Sequence, residues 1–587
     1  MLNARLYRTA WLVAGVAIIV ALLTLQSRPA PPEPDVPFAI DGAVVRDSAG
    51  RLEGVAPLRV PGSQDDIDAA EWMKEQLSGI PGADGAQPDR SRVRTQEFVA
   101  RYGRTLVQLT NVYLVVPGGT GTGSQDGIVV VAPRDTPPRI RAGATSSALL
   151  VEMARLWATS SHQRPMLFVS TDGSTVGNAG MRWFLSRFSD FRIGAVVVLD
   201  AAADGEGSGI DIWSRGRDGR QALGLESVAR TALERGGLDP APHDGLWTQL
   251  ARMAVPGSFG DQAPAIAAGI PAVTLAGRPD GPPVYRDLPD AERISLVGEA
   301  AMGLLGTLDE MDAIPAPSRA VVLADRELSA GVLRMVILLL ALPLMVAAVD
   351  ALARLRRAGV RLRPGLRALL WRAVPLAAAA VVLHLLGVAG LVPGASAGAP
   401  PLPGDLPLTP RGGLALGITA VVAVAAWLAT RSRAKAVGAA PAAEAAAGLV
   451  ALAAVSAAAW ALRPSALLLL LPAAHAVLVA TAVPRRWQVS ACAAVAVLPL
   501  VGLAAVVGAQ VDRDPLFGAW YLVATTAEGA RGVMGPAFGI AMIACMWSMA
   551  ALVVLRARKG LVAARPPVRR RRPPQDAGRG AAARRAR

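Results

Sequence analysis

The chain has 587 residues, of which 52% are hydrophobic but only 4% are aromatic, and its formal net charge is +15. The apolar residues are mainly alanine, leucine and valine gathered in long blocks, which excludes an ordinary soluble protein and favours several membrane spans beside one soluble domain. Because the arginines lie in short segments between these blocks rather than on one folded surface, we predict no nucleic-acid partner.

The first apolar run covers residues 10–26 and follows a short N-terminal segment, 1–9, that contains Arg5 and Arg8. A span needs about 20 apolar residues, and a run of this length preceded by basic residues also fits the core of a signal peptide. The following "LQSRPAPPEPD" has no clear small-x-small cleavage site. We therefore predict a retained transmembrane anchor.

A proline-rich linker and domain entry, 27–63, leads to a segment of soluble composition, 64–312. Continuous apolar strands alternate there with amphipathic helices, which predicts an α/β domain with a mostly parallel central sheet and helices on both faces. In such a sheet the loops after the carboxyl ends of the strands form the site. The predicted helices lie near 144–158, 176–188, 219–236 and 286–308, and the site loops are "APRDTPP", "TDGSTVGNAG", "LDAAADGEG" and the stretch before "GIPAV".

A second linker, 313–330, precedes a crowded apolar region, 331–555, for which we predict an all-α bundle of seven spans. With the anchor this makes about eight transmembrane helices. The basic tail, 556–587, has low complexity and is predicted to be disordered. The seven spans are predicted at 331–352, 370–392, 413–430, 445–462, 465–483, 489–509 and 534–555.

Basic residues concentrate in alternate loops of this region, such as "RLRRAGVRLRPGLR" and "RSRAK", and in the tail. By the positive-inside rule, the N-terminus and the tail are predicted to be cytoplasmic and residues of about 27–329 extracytoplasmic. Eight spans return the chain to its starting side, in agreement with this assignment. The alanine, glycine and arginine content is typical of a GC-rich genome and favours a protein of a bacterial cell envelope. The predicted spans imply membrane lipids as partners.

Six segments of the external domain resemble, in order, motifs of the co-catalytic zinc aminopeptidase family that includes aminopeptidases and glutamate carboxypeptidase (metallopeptidase family twenty-eight). "NVYLVVPG" resembles its Asn-Val strand, "VVVAPRDT" its Gly-Ala-His-x-Asp-Ser segment and "TDGSTVGNAGM" its Asp-Gly-Glu-Glu segment. "VVLDA", "GDQAPAIAAGIPAV" and "YRDLPDAERI" resemble its Asn-Leu-Asp-Met, Ser-Asp-His and Thr-Pro-Asp segments. The resemblance covers about 64–310 and implies the fold of that family, whose chemistry uses two metal ions and a carboxylate general base.

At several of the family's metal-site positions this chain has other residues. The resemblance places Pro133 at the first histidine ligand and Asp135 at the carboxylate that orients that histidine. Thr145 lies in a shortened loop in place of the bridging aspartate. Ser174 and Thr175 stand at the two consecutive glutamates that serve as general base and ligand.

The remaining positions keep carboxylates in part. Asp172 opens the glutamate segment, and Asp200 stands at the fourth ligand. Asp261 precedes the position of the last histidine, which is occupied by Gln262. One ligand of five is left, so the resemblance implies a degenerate site without catalytic residues, metal or other cofactor.

One alternative is an active, divergent zinc metallopeptidase. It requires Asp135, Asp200, Asp261 and His243 to converge on one pocket, with Asp200 and His243 as the weak metal candidates. Against it, a lone histidine such as His243 is more often a surface or capping residue than a ligand. A serine mechanism lacks the Gly-x-Ser-x-Gly elbow.

Ionisable residues within a bilayer mark sites or pathways by default, and here only His384 and His475 lie well inside predicted spans. They are the basis of a second alternative, a transporter with an external accessory domain, although histidines hydrogen-bonded between helices are expected more often. Both cysteines, Cys492 and Cys545, also fall in spans, so the external domain has no disulfide.

The layout of one anchor, a peptidase-like external domain and seven spans is similar to that of the membrane-attachment subunit of the GPI transamidase. That likeness implies a scaffold beside a separate catalytic partner. We therefore predict a multi-pass membrane protein whose degenerate external domain is a binding or scaffold module at the outer membrane face. A protein partner and a peptide ligand are the expected partners besides lipid.

Overall fold

A computed structural model of the protein describes residues 3–27, 32, 39–81, 92–102, 105–119, 126–205, 207–283, 287–323, 326–392, 406–481, 486–527, 537 and 539–546. The strands of this part are β1 (Val93–Tyr102), β2 (Thr105–Val116), β3 (Gly127–Pro133), β4 (Met166–Thr171), β5 (Ile193–Asp200), β6 (Gly209–Trp213), β7 (Asp239–Pro240), β8 (Ala272–Ala276), β9 (Val321–Leu323) and β10 (Arg326–Leu328).

The helices of the N-terminal half, through the external domain, are α1 (Ala4–Leu22), α2 (Gly42–Val55), α3 (Gln64–Ser78), α4 (Ala144–Thr159), α5 (Ala179–Arg187), α6 (Leu223–Arg235), α7 (Leu246–Ala254), α8 (Gln262–Ala267) and α9 (Ala291–Glu310). The helices that follow are α10 (Ala330–Arg357), α11 (Arg363–Val388), α12 (Pro410–Ala436), α13 (Pro441–Leu462), α14 (Pro464–Ala480), α15 (Arg486–Gln510) and α16 (Pro515–Ala527).

Eight strands form one mixed sheet in the order β1-β2-β4-β3-β5-β8-β6-β7. Its central strands β4, β3, β5 and β8 are parallel neighbours, whereas β1, β2 and β6 join through antiparallel pairs. All residues of β3, β4 and β8 are buried. Helices α2, α4, α6 and α9 pack on one another in one group that covers the sheet, and α5 and α8 pack against the sheet outside that group. This arrangement confirms the predicted α/β class with a mostly parallel sheet.

Two parts of the predicted linkers form secondary structure. Helix α2 lies within 27–63 and buries Val45, Ala49 and Leu52 in the main hydrophobic core. Strands β9 and β10 lie within 313–330 and pair as a hairpin. Neither element was predicted from the sequence, and the domain boundaries stay predictions.

Within the described residues six helices are long and apolar enough to cross a membrane: α1, α10, α11, α12, α13 and α15. Helix α14 is apolar but has 17 residues. The last predicted span, 534–555, falls largely outside the described residues, although 539–546 are helical. The predicted tail, 556–587, lies wholly outside them.

The α/β domain contacts the helical bundle at several points. Gln26, after the anchor, pairs with Glu327 in the hairpin before α10, and α1 packs along α10. Helix α7 packs on α14 and α15, where the Ser465 hydroxyl donates to the Met253 carbonyl at 3.1 Å. The Gln510 amide donates to the Gly257 carbonyl at 3.0 Å.

Candidate functional site

A crevice of about 580 Å³ opens at the carboxyl ends of the parallel strands. This is the edge where ligands bind in open α/β sheets. The loops after β3, β4, β5 and β8 all contribute to it. Its lining consists of Pro133, Asp135, Thr136, Ala142, Gly143, Ser174, Thr175, Gly177, Asp200, Arg217, Phe259, Arg278 and Pro283.

Asp135 is bound by the loop that follows β4. Its carboxylate accepts hydrogen bonds from the backbone N–H groups of Ser174 at 2.7 Å and Thr175 at 2.8 Å, and from the Thr175 hydroxyl at 2.6 Å. Burial raises the pKa of Asp135 to about 6, against the lowering effect of these hydrogen bonds. The residue predicted to orient a histidine therefore connects two loops of the crevice.

Asp200 ends β5 and faces a cation of this chain. Arg278, two residues after β8, donates from Nη2 to Asp200 Oδ2 at 2.9 Å. The same guanidinium stacks on the Trp213 ring at 4.7 Å from its centroid. Because β5 and β8 are adjacent parallel strands, their ends bring the two charges together.

Asp261 and Gln262 lie buried beneath the crevice. The Asp261 carboxylate accepts from the Thr171 hydroxyl at 2.6 Å and from the Asn178 amide at 2.7 Å. Gln262 donates to the Ser258 hydroxyl and accepts from the Thr274 hydroxyl. Burial raises the pKa of Asp261, although both hydrogen bonds lower it. These two side chains serve internal contacts.

Asp172 also lies inside the domain. It accepts from Arg134 Nη2 at 2.9 Å, and both side chains are about 1% exposed. Burial raises the pKa of Asp172 well above its usual value even though the Arg134 charge lowers it. Thr145 is buried in the first turn of α4, and Pro133 offers neither a side-chain donor nor a backbone N–H.

No three or more histidine, cysteine, aspartate or glutamate residues come close enough to hold a metal ion in the described part of the chain. Zinc is held by imidazole, thiolate or carboxylate groups, at least three in a catalytic site. Asp135 and Asp200 are the carboxylates that line the crevice, and each already has the partners given above. The residues present at these positions do not fit a two-zinc centre.

His243 lies in a different place from the one that the divergent-peptidase alternative requires. Its Nδ1 lies 2.8 Å from Glu226 Oε1, and both residues line a second pocket formed around β6 and α7. Asp135 and Asp200 thus share the crevice, Asp261 lies beneath it, and His243 is outside it. His243 therefore lines the second pocket, where its Nδ1 contacts Glu226, whereas Asp135 and Asp200 line the crevice.

Arg278, Phe259 and Arg217 have large side chains in the crevice that were not named from the sequence. Arg278 and Phe259 line it, and Arg217 donates to the carbonyls of Ser258 and Gly177 and pairs with the Asn178 side chain. Burial lowers the pKa of Arg217 to about 10. For Arg278 the available signal was the segment after β8, "GRPDG", because it follows the carboxyl end of a parallel strand. The predicted site loop was instead the stretch before β8.

The two histidines of the helical bundle are hydrogen-bonded to backbone carbonyls. His384 Nδ1 lies 2.7 Å from the Ala527 carbonyl, and His475 Nε2 lies 3.0 Å from the Leu340 carbonyl. Tyr7 of the anchor completes the second site, with its hydroxyl 2.9 Å from His475 Nδ1. Each histidine therefore joins separate helices or helix ends.

No protein-family model matches the chain, and no curated protein matches it in sequence. Among solved structures it is similar to a glutaminyl cyclase of an Acidobacteriales bacterium, at 17% identity over 49% of this chain and 99% of that chain, with a TM-score of 0.36. It is also similar to a leucine aminopeptidase precursor of Bacteroides thetaiotaomicron, at 13% identity over 46% and 98% of the two chains, with a TM-score of 0.37. A zinc aminopeptidase of Bacillus subtilis matches at 12% identity over 47% and 99%, with a TM-score of 0.36.

Proposed function

We propose that this protein is a multi-pass membrane protein whose external α/β domain is a binding module without two-metal hydrolase chemistry. The observation that carries the proposal is the ion pair between Asp200 and Arg278. The Arg278 guanidinium hydrogen-bonds the Asp200 carboxylate that would otherwise serve as a metal ligand. Its positive charge also repels a metal cation. Pro133 and Gln262 supply no imidazole in its place.

The position of the crevice favours a ligand presented at the membrane surface. Phe259 lines the crevice and also packs against a cluster of bundle residues that includes Val507, Val511 and Trp520. The crevice therefore lies next to the ends of the membrane helices. We infer that a protein or peptide partner held at the outer face of the membrane binds there.

The proposed orientation follows from the loop charges. The N-terminus, the basic loops and the tail are cytoplasmic, and the external domain is extracytoplasmic, in accordance with the positive-inside rule. Most of the basic charge between the spans lies in two segments. The first, 354–367, covers the connection from α10 to α11, and the second, 431–435, lies at the end of α12. Cysteine scanning of these segments with a membrane-impermeant reagent on intact cells tests the orientation, because labelling from outside would contradict it.

The absence of two-metal chemistry is tested on the full chain purified in detergent. We expect less than one zinc per chain by elemental analysis after exposure to zinc, and no hydrolysis of aminoacyl-nitroanilides above a blank. An Asp200→Ala variant serves as the comparison. Two bound zinc ions with turnover that disappears in Asp200→Ala would reject the proposal in favour of the divergent peptidase.

A further inference from the structure

A second pocket, of about 630 Å³, lies outside the crevice and has no role in the family resemblance. It is formed by β6, by the segment before α7, by α7 itself and by the residues after β8. None of the six resembling segments supplies its lining.

Three arginines make part of this lining positively charged. Asp244 accepts hydrogen bonds from both Arg215 and Arg252, the latter at 3.1 Å, so two guanidinium groups share one carboxylate. Arg230 donates to the carbonyls of Pro240 and Ala241. Among the described residues, the buried Nε atoms of these arginines have no hydrogen-bond partner. Each guanidinium group has five N–H donors, so donors that are not used by Asp244 or by the two carbonyls remain for an oxyanion in the pocket.

The same pocket also contains acidic groups. Asp211 lines it, half-buried, and has no ion pair within the described part of the chain. Burial raises the pKa of Asp211, and the Asp244 charge adds to this effect while Arg252 opposes it. Because both signs of charge line the pocket, a ligand with one anionic and one cationic group matches it better than a simple anion does.

His243 and Glu226 add a fixed polar pair. Glu226 accepts from His243 Nδ1 at 2.8 Å and from the Ser214 hydroxyl. Burial acts to raise the pKa of Glu226, but the His243 hydrogen bond and charge and the Ser214 hydroxyl hold that pKa below its ordinary value. The contact uses Nδ1, which leaves Nε2 as the ring nitrogen available to a ligand.

Helix α7 connects the pocket with the membrane helices. Gln249 fixes the helix by donating to the carbonyls of Asp244 and Val322 and accepting from the Val322 N–H. Arg252 lies on the pocket side. Met253, the next residue, is buried among bundle residues that include Ile337, Leu452 and Leu467, so α7 carries one wall of the pocket against the bundle.

We propose that the second pocket binds a small zwitterion that carries a carboxylate and an ammonium group. Arg215 and Arg252 hold the carboxylate, since a guanidinium fork matches its two oxygens, and Asp211 receives the ammonium group. The site is separate from the crevice and does not depend on the proposed function. Its ligand class is that of free amino acids and very short peptides.

The test is isothermal titration calorimetry on the full chain in lipid nanodiscs, with L-alanine and glycylglycine as zwitterionic probes. Acetate, methylamine and inorganic phosphate are the single-charge probes. We expect saturable binding of at least one zwitterion with a Kd of about 1 mM or tighter and at least tenfold weaker binding of every single-charge probe. Arg252→Gln is expected to weaken zwitterion binding at least tenfold, whereas Arg187→Gln, at an exposed position on α5, leaves it unchanged.

A second variant distinguishes loss of a ligand contact from misfolding of the protein. Asp211→Asn removes one charge without breaking an ion pair of the described residues, and we expect it also to weaken zwitterion binding while the melting temperature stays near that of the wild type. The proposal is overturned if no zwitterion binds, if phosphate or acetate binds as tightly, or if Asp211→Asn binds as the wild type does.

Discussion

Arg278 and Asp200 join the ends of two neighbouring parallel strands through a 2.9 Å contact, with their side chains 9% and 19% exposed. Both groups are thus largely removed from water. Such a pair contributes little net stability as a unit, but removal of one partner leaves the other charge buried and costs about 3 kcal/mol or more. Substitution of either residue therefore tests whether the two charges in the crevice pair with each other.

We predict that Arg278→Met lowers the melting temperature of the full chain in detergent, because Asp200 loses its counter-charge. The double variant Arg278→Met with Asp200→Asn should recover most of the loss, since no unpaired charge is left. Differential scanning fluorimetry measures both variants and the single Asp200→Asn variant, which completes the cycle. Arg94→Met, which breaks an exposed pair with Asp190, is the control and should change the melting temperature much less. Additive losses in the double variant would contradict the pairing.

A second prediction concerns pH. Burial raises the pKa of Asp204 to about 6, and the nearby Asp200 charge adds to the effect, although a backbone hydrogen bond from Gly143 opposes it. The folded state therefore binds this proton more tightly than the unfolded chain does. The contribution of Asp204 to the free energy of unfolding is therefore fully present below about pH 4 and is lost as the pH rises through about 6.

Asp204→Asn should remove that contribution. Relative to the wild type, we expect the variant to gain stability as the pH is raised from about 4 to 6, measured as the difference between their melting temperatures. Asp47→Asn, in an exposed ion pair with Arg51, serves as the control. A constant difference between Asp204→Asn and the wild type across this range would refute the assignment.

The contact of α7 with the bundle gives a third prediction. A Cβ atom at Gly502 would lie 3.0 Å from Trp247 Nε1, so Gly502→Leu should push α7 away from α15 and lower the melting temperature. Trp247→Ala in the same chain should relieve the clash and restore part of the loss. Gly417→Leu is the control because no atom lies within 4 Å of a Cβ placed there. Equal losses in the two leucine variants would argue against the contact.

The anchor supplies a fourth prediction. With His475 Nε2 donating to the Leu340 carbonyl, its Nδ1 accepts from the Tyr7 hydroxyl. Tyr7→Phe should therefore cost about 1 kcal/mol or slightly less, as single hydrogen bonds between membrane helices do. The melting temperature in detergent reports the loss. Thr9→Val also deletes a hydroxyl from α1, but that hydroxyl bonds within its own helix, so a smaller change is expected there.

The central strands could be predicted because burial on both faces leaves a continuous apolar run in the sequence, as in β3 and β5. Helix α4 was likewise expected at 144–158 and lies at Ala144–Thr159. Helix α2 was missed because it follows a proline-rich stretch and its face toward the core contains few large apolar residues.

The site was less accessible to sequence reasoning than the fold. The residues at the metal positions could be named from the motif order, but their partners could not. Arg278 meets Asp200 only because strands that are distant in sequence become neighbours in the sheet. His243 meets Glu226 through the packing of the segment 241–244 beside α6, and periodicity contains no information about such a contact. Long-range pairs of this kind require the topology.

The support of α7 by the membrane helices has a further consequence for how the external domain can move. Two chain connections, at Gln26 and at the hairpin before α10, would by themselves permit the domain to tilt about the line between them. The contacts of α7 and Phe259 with the bundle lie away from these connections along the chain and oppose that tilt. The crevice is then held at a fixed position relative to the helices of the bundle, so a ligand that binds there meets the domain in one orientation.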